Sequence, residues 1–533
     1  MKKSIVSNGD LNLFTEHDAV KLIDHIRANK SDNAPLILWV DLFCGCGGVT
    51  EGYSQNENNF IVACVNHDPF AIKSHHANHP KCIHYTEDIR DWTVIWKIQS
   101  LINQLRSHFP EAYIGLHASL ECTHFSKAKG GLARDADSRT LADHLFKYLC
   151  FNPDYITIEN VEEFLTWGPV DENGKPVKDL KAVDYNRWVS EFESLGFQYD
   201  YKILNAADFG AYTSRKRYFG MFTANCLPIC FPDPTHVSRK KLHLHPELKP
   251  HNAVREKLNL ENEGKSLFGL THHGKEYSEA TFWRVYHGLI KFHKEGCFTI
   301  RYNGGNLKEK SKSLNNPLGT ILTNSVHSLI HPVFLTSYYG QSKDGNGVHS
   351  LDEPCNTITT KDRFALHFLQ YSYTNNGKGN HSNLNEPANS ITTNPKHNLV
   401  TTKWLFDHQF KNTGNSVDKP CPTIIARQDK KPLYVASANN YGLTNHSIPK
   451  QGDNEVKTLL RSFMREHGIF DIKIRPLEVD ELLRIQGFPD DYKLEGGVTR
   501  AKKYIGNSVC PPMAKAIGKA ISNSLKAKLE KVA

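Results

Sequence analysis

Five consecutive apolar residues, Leu36-Ile37-Leu38-Trp39-Val40, run directly into Asp41-Leu42-Phe43-Cys44-Gly45-Cys46-Gly47-Gly48. A short apolar run without alternation is the pattern of a strand buried on both faces. The glycines behind it permit a tight turn into a helix whose first amides are free to meet a ligand. Such a unit directs the chain toward a sheet covered by helices on both sides, with ligands at the carboxyl ends of the strands. The next two hundred or so residues keep that rhythm. Ile61-Val62-Ala63-Cys64-Val65 reads as a second strand and Ile83-His84-Tyr85 as a third. Tyr113-Ile114-Gly115-Leu116 leads to a loop holding Cys122, and Tyr155-Ile156-Thr157-Ile158 leads into Glu159. Helical patterns lie between them, as over Leu141 to Tyr148.

The flanking regions differ. Residues 1–34 are polar apart from one amphipathic stretch. There Val20, Ile23 and Ile26 recur at spacing three beside Leu22, and Thr15-x-x-Asp18 offers a helix cap. The middle carries four copies of one pattern: Leu314-x-x-Pro317-x-x-Thr320-Ile321, Leu351-x-x-Pro354-x-x-Thr357-Ile358, Leu384-x-x-Pro387-x-x-Ser390-Ile391 and Val417-x-x-Pro420-x-x-Thr423-Ile424. Proline followed by a Thr-Ile run is a turn entering a strand, so repetition here predicts stacked β-units. The formal charge of +8 is concentrated in this region. Residues 231–470 hold 30 Lys+Arg against 20 Asp+Glu, and the remainder holds 35 against 37. A local basic excess suits either a solvated face or a surface that meets a polyanion.

Composition excludes several classes. No apolar run approaches the roughly 20 residues of a membrane span, and Met1-Lys2-Lys3 is followed by no apolar stretch of a signal peptide. Twelve cysteines are scattered without a CxxC pair. Neither a disulfide framework nor a metal site is expected, and a reducing cytoplasm fits.

Further blocks follow in a fixed order: Ser119-Leu120-Glu121-Cys122-Thr123-His124-Phe125-Ser126, Glu159-Asn160-Val161 and Arg215-Lys216-Arg217. Near the C-terminus come Arg475-Pro476-Leu477-Glu478, Gln486-Gly487-Phe488-Pro489 and Gly506-Asn507-Ser508-Val509-Cys510-Pro511-Pro512. With the glycine loop, these resemble the DNA (cytosine-5) methyltransferases, over roughly 35–230 and 470–525. The resemblance implies a doubly wound, Rossmann-like methyltransferase domain that binds S-adenosylmethionine, with a second, smaller, β-rich and repeat-containing target-recognition domain. It divides the chain into an accessory helix region (1–34), the catalytic domain (35–230), the recognition domain (231–470) and a segment completing the catalytic domain (471–533).

By the same resemblance, Cys122 adds as thiolate to carbon 6 of a flipped-out cytosine. Glu159 protonates or hydrogen-bonds ring nitrogen 3, and Arg215 and Arg217 hold the base and order the site. The cofactor falls to Phe43, Gly45, Gly47 and Gly48, to Asn66 and His67 after the second strand, to Asp88 and Ile89, and to Asn507, Ser508 and Val509. Glu121, Thr123 and Thr213 stand where the family usually has Pro, Gln and Gln, and Asn66 where it has an acid. Arg363 and Arg427 follow their repeats' Thr-Ile runs by a few residues, which makes them the readout guesses for the recognition domain. Duplex DNA is the expected partner of a monomeric cytoplasmic enzyme. A cognate restriction endonuclease is a further partner that the resemblance allows. Two rival readings stay open: an RNA (tRNA) cytosine-5 methyltransferase with the same catalytic parts, and a degenerate, non-catalytic DNA-binding protein.

Overall fold

A computed structural model describes residues 16–120, 141–171 and 176–259 apart from 225, short stretches and strands from 262 to 436, and 446–532 apart from 447, 468 and 470. Its contacts divide the chain into two units. One comprises residues 1–211, 215–250 and 486–533; the other comprises 212–214 and 251–485.

The first unit is built on a seven-stranded sheet. In chain order the strands are β1 (Ile37–Leu42), β2 (Asn59–Val65), β3 (Ile83–Tyr85), β4 (Tyr113–Ser119), β5 (Tyr155–Asn160), β6 (Gln198–Asn205) and β7 (Lys216–Thr223). Their order across the sheet is β3-β2-β1-β4-β5-β7-β6. Neighbours from β3 to β5 are parallel, and β7 runs antiparallel to both β5 and β6. All six residues of β1 are buried, as an apolar strand covered on both faces requires. Alternate side chains enter opposite cores. Leu38, Val40 and Leu42 join one cluster, and Ile37 and Trp39 join the other. The Trp39 ring lies over Gly115 of β4, where a Cβ would come within 2.2 Å of it.

Helix α1 (Glu16–Asn29) packs with α4 (Trp92–His108) on the first core. Its buried residues are Ala19, Leu22, Ile23 and Ile26, a full i, i+3, i+4, i+7 stripe. Val20 points out and is 53% exposed, so the stripe is rotated from the spacing-three reading. Thr15 lies outside the described residues. The Leu141–Tyr148 pattern forms a 3-10 segment, Asp143–Phe151, rather than an α-helix. It buries Leu145, Tyr148 and Phe151, the threefold period that such a helix presents. Helices α3 (Pro69–Asn78) and α5 (Val183–Ser194) complete the connections between strands.

The opposite core is closed by short α2 (Gly48–Tyr53) and the last helix. The second unit contributes α6 (Glu279–Phe292), α7 (Glu455–Glu466) and most of α8 (Val479–Gln486), and the chain then returns through α9 (Gly497–Asn507) and α10 (Pro511–Val532). Met513, Ala514, Ile517, Ile521 and Leu525 of α10 are buried in this core with Val49 and Tyr53 of α2. Contact is close because α2 offers glycine. A Cβ on Gly52 would stand 2.4 Å from the Pro511 carbonyl oxygen and 2.5 Å from Ala514 Cβ.

The second unit is strand-rich. A seven-stranded sheet joins Lys265–Ser266, Phe298–Arg301, Ser311–Ser313, His327–Pro332, Trp404–Asp407, Tyr434–Ala436 and Ile472–Pro476. The Thr-Ile runs of the repeats lie outside the described residues. Their periodicity nonetheless reappears in the strands that follow, which begin at His327, Phe364 and His397, each seven residues after Thr320, Thr357 and Ser390. Ile472–Pro476 pairs within this sheet, so the chain's return to the first unit falls at Gln486, later than 471. Here Arg475 makes a buried, two-pronged ion pair with Glu481, at 2.7 and 2.9 Å, and also reaches the carbonyls of Asn259 and Asn262.

Candidate active site and cofactor edge

The parallel strands bring three expected cofactor segments to one edge. Leu42 pairs with Val65, and Val65 with Tyr85, so Phe43–Gly48, Asn66–His67 and Asp88–Ile89 all emerge from neighbouring strand ends. The glycine loop is held in conformations that few side chains accept: φ is +54° at Gly45 and +102° at Gly47, and Phe43 itself is at +56°. Gly47 precedes α2, whose first residue, Gly48, lies under the Val509 carbonyl; a Cβ there would come within 2.3 Å of that oxygen. The Asn507-Ser508-Val509 block therefore forms a wall of the glycine loop. Gln486 Nε2 donates to the Ser508 carbonyl at 3.0 Å, and Gly487 packs on Pro512.

The Asn66 side-chain oxygen accepts from the Asp68 amide at 2.9 Å, which leaves its NH2 as the end to offer a hydroxyl. The Asp88 carboxylate is held by Arg90, whose Nε and guanidinium NH2 lie 3.0 and 2.7 Å away. That hydrogen-bonded pair keeps the Asp88 carboxyl below its ordinary value. Ile89 is buried, and its carbonyl accepts from the Tyr148 hydroxyl.

On the same edge stand the acid and the two arginines. Glu159 of β5 is the cross-strand neighbour of Ser119, the last residue of β4, and of Phe219 on β7. It is 5% exposed. Arg217 Nε is 3.1 Å from its Oε1, a buried ion pair. Burial raises the Glu159 carboxyl above 4.5, opposed by Arg217 and then Arg215. Arg215 is fully buried, and its NH1 donates to the Gly506 carbonyl at 3.0 Å, tying the arginine block to the Asn507 block. Cys510 is within electrostatic reach of all three, but burial pushes its thiol up to about 12, so it is no source of thiolate. Cys122, Glu121, Thr123, Arg363 and Arg427 lie outside the described residues. What the structure places is the start of the Cys122 segment, at Ser119 beside Glu159.

Three contributors carried no sequence signal. Tyr492 donates to the Cys46 carbonyl at 2.5 Å, pinning the glycine loop from a residue more than 400 positions away. Buried His117 bridges Thr157 and Ser119 at 2.9 Å on each side, behind the strand end that leads to Cys122. Desolvation lowers this imidazole to about 3, so it is neutral. The third is a side-chain group: Cys64, His75, Cys82 and His84 offer candidate ligand atoms within 4.8 Å of one another. No CxxC spacing announces this group, because its members come from separate elements.

The model of the C-5 cytosine-specific DNA methylase family matches residues 37–321 and 358–523. Among curated relatives, the type II methyltransferase M.XorII of Xanthomonas oryzae is 30% identical over 200 residues, covering 37% of this chain and 43% of that one. M.AgeI of Thalassovita gelatinovora is 29% identical over 204 residues, 38% and 43% of the two chains. The match thus spans less than half the length of these relatives. The structure also aligns with the Entamoeba histolytica methyltransferase EhMeth at TM-score 0.42 and 12% identity, over 92% of this chain and 99% of that one. Motif order, sheet order and a family match over most of the sequence agree: the chain belongs to the C-5 cytosine-specific DNA methylase family.

Proposed function

We propose that this protein is a DNA (cytosine-5) methyltransferase acting on a cytosine flipped out of duplex DNA, with Cys122 as nucleophile. The observation that carries the proposal is the buried Glu159–Arg217 pair beside Ser119, where the Cys122 segment begins. Carbon 5 of cytosine is too weak a nucleophile on its own. Thiolate addition at carbon 6 converts the ring into an enamine that can take a methyl group at carbon 5. Loss of the carbon-5 proton and expulsion of the thiolate then restore the aromatic ring. Burial favours the protonated form of the Glu159 carboxyl, and that form donates to ring nitrogen 3 as the thiolate adds. Arg217 holds Glu159 in place, and Arg215 fixes the Asn507 block beside it.

The residues at the strand ends suit S-adenosylmethionine. The glycine loop turns tightly at the strand end, Asn66 has an amide end to offer a ribose hydroxyl, and the Asn507 block walls the loop. When bound, the cofactor supplies the methyl group as a sulfonium electrophile. Phe43, Gly45, Gly47, Gly48, Asn66, His67, Asp88, Ile89, Asn507, Ser508 and Val509 would hold it. The basic, repeat-bearing region would read the target sequence, Arg363 and Arg427 included, and a restriction endonuclease of the same specificity would be its natural companion. The test is methyl transfer by the purified chain to duplex DNA and to tRNA, with duplex containing 5-fluorocytosine as a trap. The expected result is DNA methylation, a covalent complex with the fluorinated duplex, and loss of both in Cys122→Ala. Transfer to tRNA alone, or none to either, overturns the reading.

A further inference from the structure

We propose that Cys64, His75, Cys82 and His84 hold one zinc ion in a closed, structural site behind the cofactor edge. Cys64 lies near the end of β2, His75 on α3, Cys82 just before β3, and His84 within β3. Three of the four are buried and His84 is half-buried. Cys64 Sγ is 3.4 Å from Cys82 Sγ, and Cys82 Sγ is 4.0 Å from His75 Nδ1. His84 Nε2 is 3.3 Å from Cys82 Sγ and 2.9 Å from His75 Nδ1. Zinc at about 2.3 Å from sulfur and about 2.0–2.1 Å from nitrogen makes a tetrahedron with edges of about 3.3–3.8 Å. Each of these separations lies within about 0.5 Å of a tetrahedral edge. The two sulfurs are far beyond a disulfide bond of about 2.05 Å, and thiols are weak hydrogen-bond partners for burial.

The surroundings complete the argument. His75 Nε2 lies 3.0 Å from Thr50 Oγ1, which passes its own proton to Asp41 Oδ2 at 2.9 Å. Nε2 is therefore the donor, and Nδ1 turns its lone pair toward His84 and Cys82. A metal-bound histidine is usually fixed in this way, by a chain from its outer nitrogen to a carboxylate. The outer nitrogen of His84 faces His76 at 3.4 Å. Two thiolates with two imidazoles select zinc among common divalent ions, and four protein ligands leave no position for chemistry. An ion here would staple β2, α3 and β3 together. It would fix Asn66 and His67, two and three residues after Cys64, and Thr50 of α2. A surface cavity of about 500 Å3, lined in part by Thr50, His79 and Cys82, gives a route in.

The test uses the full chain purified without chelator, with metal content read by mass spectrometry. About one zinc per chain is expected, with loss of most of it in Cys82→Ser and in His84→Ala and none lost in Cys150→Ser, an exposed cysteine. Thr50→Val should weaken retention about 10- to 100-fold in competition with a chelator. Should the ligand variants fail to fold, the wild-type chain still decides, because cobalt(II) exchanged into the site must show thiolate charge-transfer and intense tetrahedral bands. A folded wild-type chain that carries no zinc and gives no such bands overturns the proposal. So does full zinc retention in Cys64→Ser/Cys82→Ser.

Discussion

Arg217 Nε stands 3.1 Å from Glu159 Oε1, and both side chains are at least nine-tenths buried. A buried ion pair broken from one side leaves an uncompensated charge, while the acid must stay protonatable to act. Glu159→Gln keeps shape and removes the proton. It should lower methyl transfer about 100- to 10,000-fold and also lower the unfolding temperature, because buried Arg217 is left without its carboxylate. Single-turnover kinetics with matched thermal melts check this.

Gly52→Ala should separate α2 from α10. The added methyl would meet the Pro511 carbonyl oxygen at 2.4 Å, and backbone cannot swing aside as a long side chain can. A cost of about 1–3 kcal/mol is expected from overpacking, with weaker cofactor binding because α2 carries the glycine loop. Urea unfolding and calorimetric titration with S-adenosylmethionine give both numbers.

Tyr492→Phe removes the hydroxyl that donates to Cys46 and leaves the ring on Phe488. The loss should be about 1 kcal/mol of stability, with KM for the cofactor raised more than kcat is lowered. Steady-state kinetics at varied cofactor distinguish the two.

Asp471 should mark the pH dependence of the second unit. Burial pushes its carboxyl up to about 7 from 3.8, although Ser266 Oγ and the Ile472 amide both donate to Oδ1. The folded state therefore binds the proton more tightly than the unfolded one. Its stabilising contribution is complete below about pH 3.8 and is lost as the pH rises toward 7. Asp471→Asn keeps the accepting oxygen and does not titrate. The wild-type stability minus that of the variant should fall steadily over this interval in denaturant titrations.

Exchange of residues 251–485 for the corresponding part of a relative of different specificity should move the methylated sequence to that of the donor. Bisulfite sequencing of DNA from cells expressing the hybrid reads this directly. Sites that keep the original sequence would place recognition elsewhere.

Strands β1 to β5 were legible because a strand covered on both faces must be apolar at nearly every position. Strand β6 was not. Gln198–Asn205 lies at the sheet edge with most of its residues exposed, and its sequence is correspondingly polar. Val20 misled for another reason: a spacing of three is shared by two neighbouring helix faces, and only packing against α4 decides between them. The motif blocks gave Glu159, Arg215 and Arg217 because chemistry restricts what can stand there. Tyr492 and His117 act through side-chain hydrogen bonds that only the folded chain brings together, and no spacing announces them. The Cys64, His75, Cys82 and His84 group is hidden similarly, since three elements at irregular intervals supply it.

The packing of α2 against α10 joins segments more than 400 positions apart in the sequence. A ribosome that halts before Pro511 releases a chain with its glycine loop, Glu159 and both arginines already synthesised, yet with α2 facing water. Termination before Pro511 should therefore yield an inert product rather than a partly active one. Peptide supplied in trans from Pro511 onward should restore what the shortened chain lacks.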